Sequence, residues 1–523
     1  MKRRNFLRKG SALAASPFLL SHMPVFALQS ASALLHQRLL ESGRILVLIQ
    51  LRGGNDGLNT LIPLDQYKNL LAARPEVILA EKDILSLGGN SGLHSKLSGV
   101  ADMYNNKQVG IIQSVGYPLP NQSHFRSTDI WETASASTET LDTGWLGRYM
   151  DKAFPGFPEA YPNPSFSDPL AITLGSTVSN TCQGPVANMS MALRNLGQFT
   201  QLPLSSQYSS GSSLFQKELE FIRQSVNQAN QYFDVLQIAA EQGKNYSNLY
   251  SQGGNPLSDQ LKIVAQLISG GLQTPVYVVN LGGFDTHANQ VDPQGDHTGG
   301  RHGVLMDNLS KAVLAFQDDL ERMNAADRVL TMTYSEFGRR IASNASFGTD
   351  HGTAAPVFLF GTQVNPMIHG NSPEIPSEVA PRDNLPMQFD FRSVYGSVLQ
   401  DWMGIRENEV RELIFEDYEH IPIIKNAVTS SAPTIQQKLF SIYPNPSKGN
   451  ISVKIDEKVS VNQEIAFELY SPEGRRIRLV EIPKGGRSQK DVSLTFEGLV
   501  PGNYHLRLLT ESHQAYQVVS IVP

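Results

Sequence analysis

The sequence predicts an α/β fold for residues 44–426, followed by a small antiparallel β-sandwich at residues 437–523. In the first region, short apolar runs bounded by turn-forming residues alternate with stretches of helical periodicity. This alternation predicts a mostly parallel sheet covered by helices on both faces, which is a three-layer αβα arrangement. Beyond residue 440 the pattern changes to short segments of alternating polarity, with turn signals roughly every ten residues.

Apolar runs predict the strands of the sheet. Each run is short, rich in aliphatic or β-branched residues and bounded by residues that form turns, which is typical of strands buried on both faces. In chain order they are Arg44–Leu51, Val109–Val115, Ala171–Gly175, Pro275–Asn280, Val329–Tyr334 and Ala355–Phe360.

The helical spacing of apolar residues between these runs predicts the helices. They are Leu93–Asn106, a helix that begins at Ile130–Ala134, Leu214–Ala240, Asp259–Ile268, Val304–Met323 and Val394–Trp402. Residues 176–212 are rich in Ser, Asn, Gln and Gly, and this composition predicts loops. A Ser/Pro-rich linker at residues 427–436 separates the α/β region from the predicted sandwich.

Residues 1–27 have the features of an export signal, so we do not expect them to be part of the fold. The adjacent Arg3 and Arg4 resemble a twin-arginine signal, and the alternative is a Sec signal that happens to contain two arginines. The apolar stretch at residues 11–26 is interrupted by proline and polar residues and is too short to span a bilayer. We therefore expect an exported protein without a transmembrane segment.

The charge and the cysteine content exclude some classes of function and of site. The 523 residues carry a formal net charge of −6, and residues 1–27 contribute five positive charges and no acid, so the remainder carries −11. Such an acidic chain lacks the basic surface that binds phosphate backbones, so we expect no nucleic-acid partner. The single cysteine, Cys182, cannot form an internal disulfide, and no cysteine cluster for zinc is present.

Acidic residues and histidines follow the ends of the predicted strands. The carboxyl ends of parallel strands lie along one edge of a sheet, where ligands bind, so we expect these side chains to converge. Carboxylates and imidazoles suit divalent cations, and two cations about 4 Å apart can clamp the oxygens of a transferring phosphoryl group. The clusters are Asp56 with Asn59, Ser123 with His124, Asp285 with His287, Glu336, and Asp350 with His351.

Five of these residues are the predicted metal ligands, and the expected cofactor is one or two divalent ions, either zinc, magnesium, calcium or manganese. The predicted ligands are Asp56, Asp285, His287, Asp350 and His351. Structural roles remain open for some of them, because Asp56 and Asp350 can also form turns and His351 can hydrogen bond to the backbone.

The predicted catalytic residues are Ser123, Glu336 and Arg339. Ser123 is a candidate nucleophile, with Ser127 and Thr60 as alternatives, and any of the three hydroxyls can instead cap a helix or form a turn. Glu336 can bind a metal ion or form an ion pair with a neighbouring arginine. Arg339 can bind an anionic group through two parallel hydrogen bonds.

An ordered set of motifs extends over residues 44–420: RGGNDGLNTLIP, SHFRSTDIWE, GGFDTHANQ, SEFGRR and GTDHG. Together they resemble domain of unknown function 1501, a family of bacterial exported proteins in the alkaline phosphatase/sulfatase-like superfamily. The resemblance implies an alkaline-phosphatase-like αβα fold with that superfamily's metal site. Sulfatases carry a C/S-x-P-x-R sequence for making formylglycine, and its absence here argues against a formylglycine sulfatase.

The resemblance also implies roles for individual residues. Asp56 resembles the metal ligand at the end of the first strand, although Asn59 competes for that role. Asp285 with His287 resembles the second ligand group. The pair at residues 350–351 resembles the Asp-His pair shared across the superfamily. The nucleophile of the alkaline phosphatases is not assigned by any of these motifs.

The C-terminal segment carries a second resemblance. The sequence YPNP at residues 443–446 and LVPGNY at residues 499–504 resemble the type A sorting domain of type IX secretion in Bacteroidetes. This implies that the type IX machinery is a partner and that the protein passes from the periplasm to the cell surface or the medium. The alternative is a carbohydrate-binding or adhesion sandwich.

Two functions follow from these patterns. The first is a secreted metal-dependent hydrolase of phosphate or sulfate esters, acting on a small or polymeric anionic substrate. The second is a non-catalytic, degenerate member of the superfamily that acts as a cell-surface binding or envelope protein, because a retained fold does not fix a function.

Overall fold

The computed structural model describes residues 42–196, 230–425, 440–455, 465–470, 476–483, 491–496, 499–510 and 514–522, together with Leu35 and Val226. The predicted export signal at residues 1–27 and the predicted linker at 427–436 lie outside the described residues. The chain divides into two compact units, of which one holds Ser32–Ala427 and the other includes Val428–Pro523.

The described part of the first unit contains strands that form one large sheet and one small sheet. They are β1 (Ile45–Arg52), β2 (Leu61–Pro63), β3 (Ile84–Ser86), β4 (Ser91–His94), β5 (Val109–Gly116), β6 (Ala171–Leu174), β7 (Ser190–Leu193), β8 (Val276–Gly282), β9 (Val329–Tyr334), β10 (Ala355–Phe360), β11 (Ile368–His369) and β12 (Phe389–Asp390). The large sheet has the order β11-β5-β10-β9-β1-β8-β6-β7, and β12 also pairs with β5.

The large sheet is mostly parallel, as predicted. Strand β1 is parallel to both β8 and β9, and β6 is parallel to both β7 and β8. Strand β10 is antiparallel to its neighbours β5 and β9, because the chain returns from β9 through a loop and not through a crossover helix. All the predicted strands are present, with ends shifted by no more than two residues. Strand β7 is an addition, since it lies in a segment predicted to form loops.

Helices cover both faces of this sheet. Those with described bounds are α1 (Gly57–Thr60), α2 (Tyr67–Ala73), α3 (Ser98–Asn105), α4 (His124–Thr133), α5 (Trp145–Ala153), α6 (Pro256–Ser269), α7 (Gly300–Arg322), α8 (Phe391–Ser397) and α9 (Glu407–Leu413). Residues 230–242 are also helical, and a π-helical turn, Val398–Trp402, continues α8. Of the predicted helix Leu214–Ala240, residues 214–229 other than Val226 lie outside the described residues.

The alternation of side chains along β1 divides the core into two layers. Leu46 and Leu48 pack into a cluster with residues of α4, α5 and α8. Val47 and Ile49 pack into a second cluster with residues of α3, α6 and α7. Because both faces of the strand are covered, nearly every residue of β1 is apolar, and the three-layer αβα arrangement follows.

The small sheet corrects one predicted helix. Strands β2, β4 and β3 are antiparallel and pair in that order. Leu93 lies in β4 opposite Leu61, and the helix predicted to begin at Leu93 begins at Ser98. A short buried apolar run does not distinguish a strand from a helix by periodicity alone, so the pattern merges this strand with the helix that follows it.

The second unit consists of two antiparallel sheets. Its strands are β13 (Phe440–Tyr443), β14 (Asn450–Ile455), β15 (Ile465–Tyr470), β16 (Arg476–Ile482), β17 (Asp491–Thr495), β18 (Gly502–Thr510) and β19 (Gln514–Ile521). One sheet has the order β13-β14-β17 and the other β16-β15-β18-β19. Apolar residues of both sheets share one core, as the predicted sandwich requires.

None of the helices in the described part of the chain is long and apolar enough to cross a membrane.

The hydrogen bond between the buried Asp401 and the half-buried His420 is expected to make stability depend on pH. His420 Nε2 lies 2.9 Å from Asp401 Oδ1, and this hydrogen bond raises the pKa of His420 above its ordinary 6.5. The stabilisation is therefore complete below pH 6.5 and is lost as the pH rises through the raised folded-state pKa. We expect the unfolding free energy of the wild-type protein to fall between pH 5.5 and pH 8.5, and that of His420→Asn to fall by less over the same range. An equal fall in the two proteins would contradict the assignment.

Candidate metal centre

The carboxyl ends of three neighbouring strands position the polar residues. Strand β1 lies between β8 and β9, and all three run in the same direction. Gly53 follows β1, Asp285 follows β8, and Glu336 follows β9. His124 is the first residue of α4 and lies 2.9 Å from Glu336 Oε1 through its Nδ1 atom. Residues from four parts of the chain thus meet at one edge of the sheet.

Asp285 Oδ1 is the atom on which the cluster converges. Arg339 Nη2 lies 2.7 Å from it and His351 Nε2 lies 3.1 Å from it. His287 Nε2 is at 3.2 Å and His124 Nε2 is at 3.5 Å. Three imidazoles therefore present the same ring nitrogen, Nε2, to one carboxylate oxygen.

Each of the three imidazoles is oriented by an oxygen atom at its other ring nitrogen, Nδ1. The pairs are His124 with Glu336 Oε1 at 2.9 Å, His287 with Asp350 Oδ1 at 2.9 Å, and His351 with the backbone oxygen of Gln122 at 2.8 Å. An acceptor at Nδ1 that fixes the tautomer and the ring orientation is the usual arrangement of histidines that bind metals.

The tautomers that follow from these contacts fit a bound cation. An ionised carboxylate and a carbonyl oxygen only accept hydrogen bonds, so each Nδ1 carries the hydrogen. In a neutral ring the Nε2 atom then has a free lone pair, and all three lone pairs face the Asp285 carboxylate. Lone pairs and a carboxylate repel one another unless a cation or additional protons lie between them. Burial lowers the pKa of His351, which opposes protonation of that ring.

The ligand atoms of His124, Asp285 and His351 all lie within 4.8 Å of one another, which is close enough to hold one metal ion. In the described ranges this is the one group of three or more such residues with that geometry. His287 adds a further imidazole on the same carboxylate oxygen. These residues fit one cation, and the second ion of the expected one or two has no matching cluster among the described residues.

The charge of Asp285 is stabilised by its neighbours. Partial burial acts to raise its pKa, but the hydrogen bond and charge of Arg339, together with the adjacent His351 and His287, outweigh burial and lower the pKa from 3.8 to about 2. Burial likewise acts to raise the pKa of Asp350, and hydrogen bonds from His287 and Asn344 outweigh it and lower that pKa. Both carboxylates are therefore ionised at neutral pH.

Arg339 differs from its predicted role of binding a substrate anion. Its side chain is 1% exposed, and its donors are engaged by protein oxygens. Nε donates to the Gly54 carbonyl at 2.8 Å, and Nη1 donates to that of Thr349 at 2.7 Å. Nη2 donates to Asp285 and to the carbonyls of Phe284 and Gly53. Arg339 therefore ties the loops together and positions Asp285.

Asp56 also lies outside the cluster, contrary to the prediction. It is 1% exposed, and both of its carboxylate oxygens are within 3.2 Å of Arg74 Nη1. Gln290 Nε2 donates a further hydrogen bond to Oδ2. Asp56 is absent from the group formed by His124, Asp285 and His351, and both of its oxygens are engaged by a buried arginine or an amide, so the structure indicates a structural role.

Glu336 contacts His124 and Asp350 contacts His287, and neither carboxylate is in contact with Asp285 Oδ1. Glu336 Oε1 also accepts a hydrogen bond from the Gly53 backbone nitrogen at 2.8 Å. Asp350 Oδ1 also accepts one from Asn344 Nδ2 at 3.1 Å. Their effect is to orient His124 and His287.

The hydroxyl candidates differ in accessibility. Thr60 is buried and donates to Asn55 and to the Asp56 carbonyl. Ser127 is buried and contacts Tyr117 and the Glu336 carbonyl. Ser123 is exposed, adjoins His124 and makes no side-chain cap to its helix. Of the three, Ser123 is the one that is exposed to solvent.

A side chain added at Gly53 is expected to disturb the site strongly. Its φ of +121° is a conformation that glycine adopts readily, and a Cβ atom there would overlap the backbone nitrogen of Asp285. We expect Gly53→Ala to displace Asp285, to destabilise the fold by about 1–3 kcal/mol and to weaken metal binding. Gly88 is the matched control, because its φ is +86° and a Cβ atom added there would have no neighbour within 4 Å. Denaturation and metal titration of both variants check this, and equal effects would contradict the proposed clash.

A cleft of about 780 Å³ lies beside the cluster around Asp285. It shares His124, Gly53 and Glu336 with the cluster and continues past Arg52 to Glu132. Arg52 is exposed, and its guanidinium has no ion pair within the described residues. The cleft therefore adjoins the cluster around Asp285.

Sequence reasoning did not include His124 among the candidate ligands and did not identify Arg74 as the partner of Asp56. The sequence places His124 among the polar residues that follow the second strand, and nothing in a single sequence distinguishes it from the neighbouring serine.

Comparisons with known proteins agree with the organisation of the chain. Residues 441–521 match the model of a secretion system C-terminal sorting domain, which points to export by type IX secretion and confirms the interpretation of the tail. No curated protein matches the chain.

Solved structures resemble the chain at low identity. A protein of the alkaline phosphatase superfamily from Vibrio parahaemolyticus is 8% identical, with coverage of 87% of this chain and 79% of that chain and a TM-score of 0.28. A putative sulfatase from Bacteroides fragilis is 9% identical, with coverage of 86% and 90% and a TM-score of 0.30. Dimeric latent PorU from Porphyromonas gingivalis is 13% identical, with a TM-score of 0.14, and the match covers 16% of this chain and 9% of that chain.

These similarities assign no activity. The family model extends over residues 111–414 and carries the description "protein of unknown function". It spans β5 to α9, and so contains His124, Asp285, His287 and His351. Because it matches more than half of the 523 residues, the chain belongs to the DUF1501 family.

Proposed function

We propose that this protein is an exported metal-dependent hydrolase of phosphate or sulfate esters. The observation that carries the proposal is the convergence of three imidazole Nε2 atoms on Asp285, with each ring oriented through Nδ1 by an oxygen acceptor. Histidines with a purely structural role do not need their three Nε2 lone pairs to converge on one position, whereas histidines that bind the same metal ion do.

His124, Asp285, His287 and His351 would hold the ion. Three imidazoles and one carboxylate favour zinc over magnesium or calcium, which prefer ligand sets made of oxygen. A divalent ion bound there would act as a Lewis acid on the ester and promote ionisation of a hydroxyl group.

The remaining roles belong to residues at the rim of the site. Ser123 supplies the nucleophile, because its exposed hydroxyl adjoins His124 and is not used as a helix cap. Arg52 binds an anionic oxygen of the ester in place of Arg339, since it lines the cleft and its guanidinium forms no ion pair with the described residues. Arg339 holds Asp285 in position.

Elemental analysis and an ester panel test this function. We expect protein purified without chelator to contain about one zinc ion per chain and to hydrolyse p-nitrophenyl phosphate or p-nitrophenyl sulfate. A chelator should abolish the activity, and added zinc should restore it. Protein that contains no metal and hydrolyses neither ester would overturn the proposal and leave a non-catalytic surface protein.

The route of export is part of the proposal. We infer that residues 1–27 direct the chain across the inner membrane as a twin-arginine signal and that the sorting domain then directs it to the cell surface or the medium. We expect deletion of residues 437–523 to leave folded protein in the periplasm, as measured by fractionation. Normal secretion of the shortened chain would contradict the role of the sorting domain. A matched export test fuses residues 1–35 to a reporter, whose export should fail without the twin-arginine translocase.

A further inference from the structure

The cleft beside the metal centre has a defined direction. Helix α4 presents His124, Thr128 and Glu132 to it at intervals of four residues, so all three lie on one face of the helix. A helix rises 1.5 Å per residue, so Glu132 lies about 12 Å along the axis from the metal ligand His124. The cleft therefore has room for a group larger than the ester itself.

The charges of the lining exclude a densely charged partner. Among the described residues that line the cleft, Arg52 is the one lysine or arginine. Asp129 is paired with Arg126, and Glu132 accepts a hydrogen bond from Ser179 at 3.2 Å. A polyanion needs several cations along its backbone, and this cleft offers one cation beside three carboxylates.

The polarity of the lining excludes a lipid. The strand ends and the facing loop contribute amides and hydroxyls, among them Gln50, Asn180 and Asn280. These groups need hydrogen-bond partners, which an acyl chain does not supply. At the rim, Phe125 is 92% exposed and leaves an aromatic face open to solvent beside His124.

We propose that this cleft binds the alcohol part of the ester and that this part is a polyhydroxylated, sugar-like group. Its hydroxyls would hydrogen bond to Glu132, Thr128 and the amides, and the apolar face of its ring would lie against Phe125. The proposal rests on the ester-hydrolase function, and it makes Phe125 and Glu132 determinants of specificity.

The test compares two esters that share the reacting group. Glucose 6-phosphate is compared with ethyl phosphate, and glucose 6-sulfate with ethyl sulfate, by release of the inorganic anion. We expect the wild-type protein to prefer the sugar ester, and Phe125→Ala or Glu132→Gln to reduce the ratio of the two kcat/KM values by about tenfold. Leu119, which is 74% exposed and does not line the cleft, provides the control Leu119→Ala. A ratio that is unchanged in both cleft variants would overturn the proposal.

Failure of the hydrolase function is distinguishable from failure of the sugar proposal. If no ester is hydrolysed, calorimetric titration of the zinc-loaded protein with glucose 6-phosphate and glucose 6-sulfate decides whether the cleft binds a sugar-like group. Binding that is lost in Phe125→Ala and kept in Leu119→Ala supports the sugar-binding cleft. Absence of binding to the wild-type protein overturns it.

Discussion

Replacing Asp285 with alanine is expected to reduce bound metal from about one ion per chain to less than about 0.1 and to reduce ester hydrolysis by at least about 10³-fold. Asp285 supplies the one carboxylate on which His124, His287 and His351 converge. Without it the three imidazoles lose the negative charge that offsets the charge of the ion. Elemental analysis and initial rates measure the two effects.

Two further variants separate this prediction from simple misfolding. Asp417→Ala removes an exposed carboxylate with no contact to the cluster and should leave metal and activity unchanged. Asp350→Asn keeps an oxygen for the Nδ1 hydrogen of His287, so its metal affinity should fall by only about 10–100-fold. Folded Asp285→Ala protein that retains one ion per chain would remove the basis of the proposed site.

The same cluster shows how far the sequence could lead. Strand-end reasoning identifies Asp285, His287 and His351, because polar residues that follow parallel strands must lie along one edge of the sheet. It does not separate ligands from the residues that orient them. Glu336 and His124 both lie at that edge, and which one faces Asp285 depends on side-chain directions over a few ångströms, which no spacing rule specifies.

The fold is predictable where burial dominates. The continuous apolar runs of β1 and β9 have few alternatives to a strand covered on both faces. The antiparallel direction of β10 is harder to predict, because its only signal is the absence of helical periodicity in residues 335–354, which removes the crossover that a parallel strand needs. The short strand β4 is missed because its pairing partners lie in other segments of the chain.

Asp56→Ala is expected to give the largest loss of stability, about 3–5 kcal/mol of unfolding free energy. Asp56 and Arg74 are both fully buried, and the substitution leaves the Arg74 charge in the interior without a counterion. Burial acts to raise the pKa of Asp56, and Arg74 outweighs burial and lowers it below 3.8. The stabilisation is therefore present above pH 3.8 and is lost as the pH falls through the folded-state pKa.

Denaturation at pH 7 and pH 3 measures this effect, and an exposed pair supplies its control. Asp307 forms an ion pair with Lys311 on the surface of α7, and Asp307→Ala should cost less than about 1 kcal/mol at either pH. The metal content of Asp56→Asn distinguishes the two roles assigned to this residue. A structural Asp56 predicts a less stable protein that still binds one ion per chain. A ligand, as the sequence suggested, predicts that the ion is lost while the fold keeps its stability, and that result would return Asp56 to the metal centre.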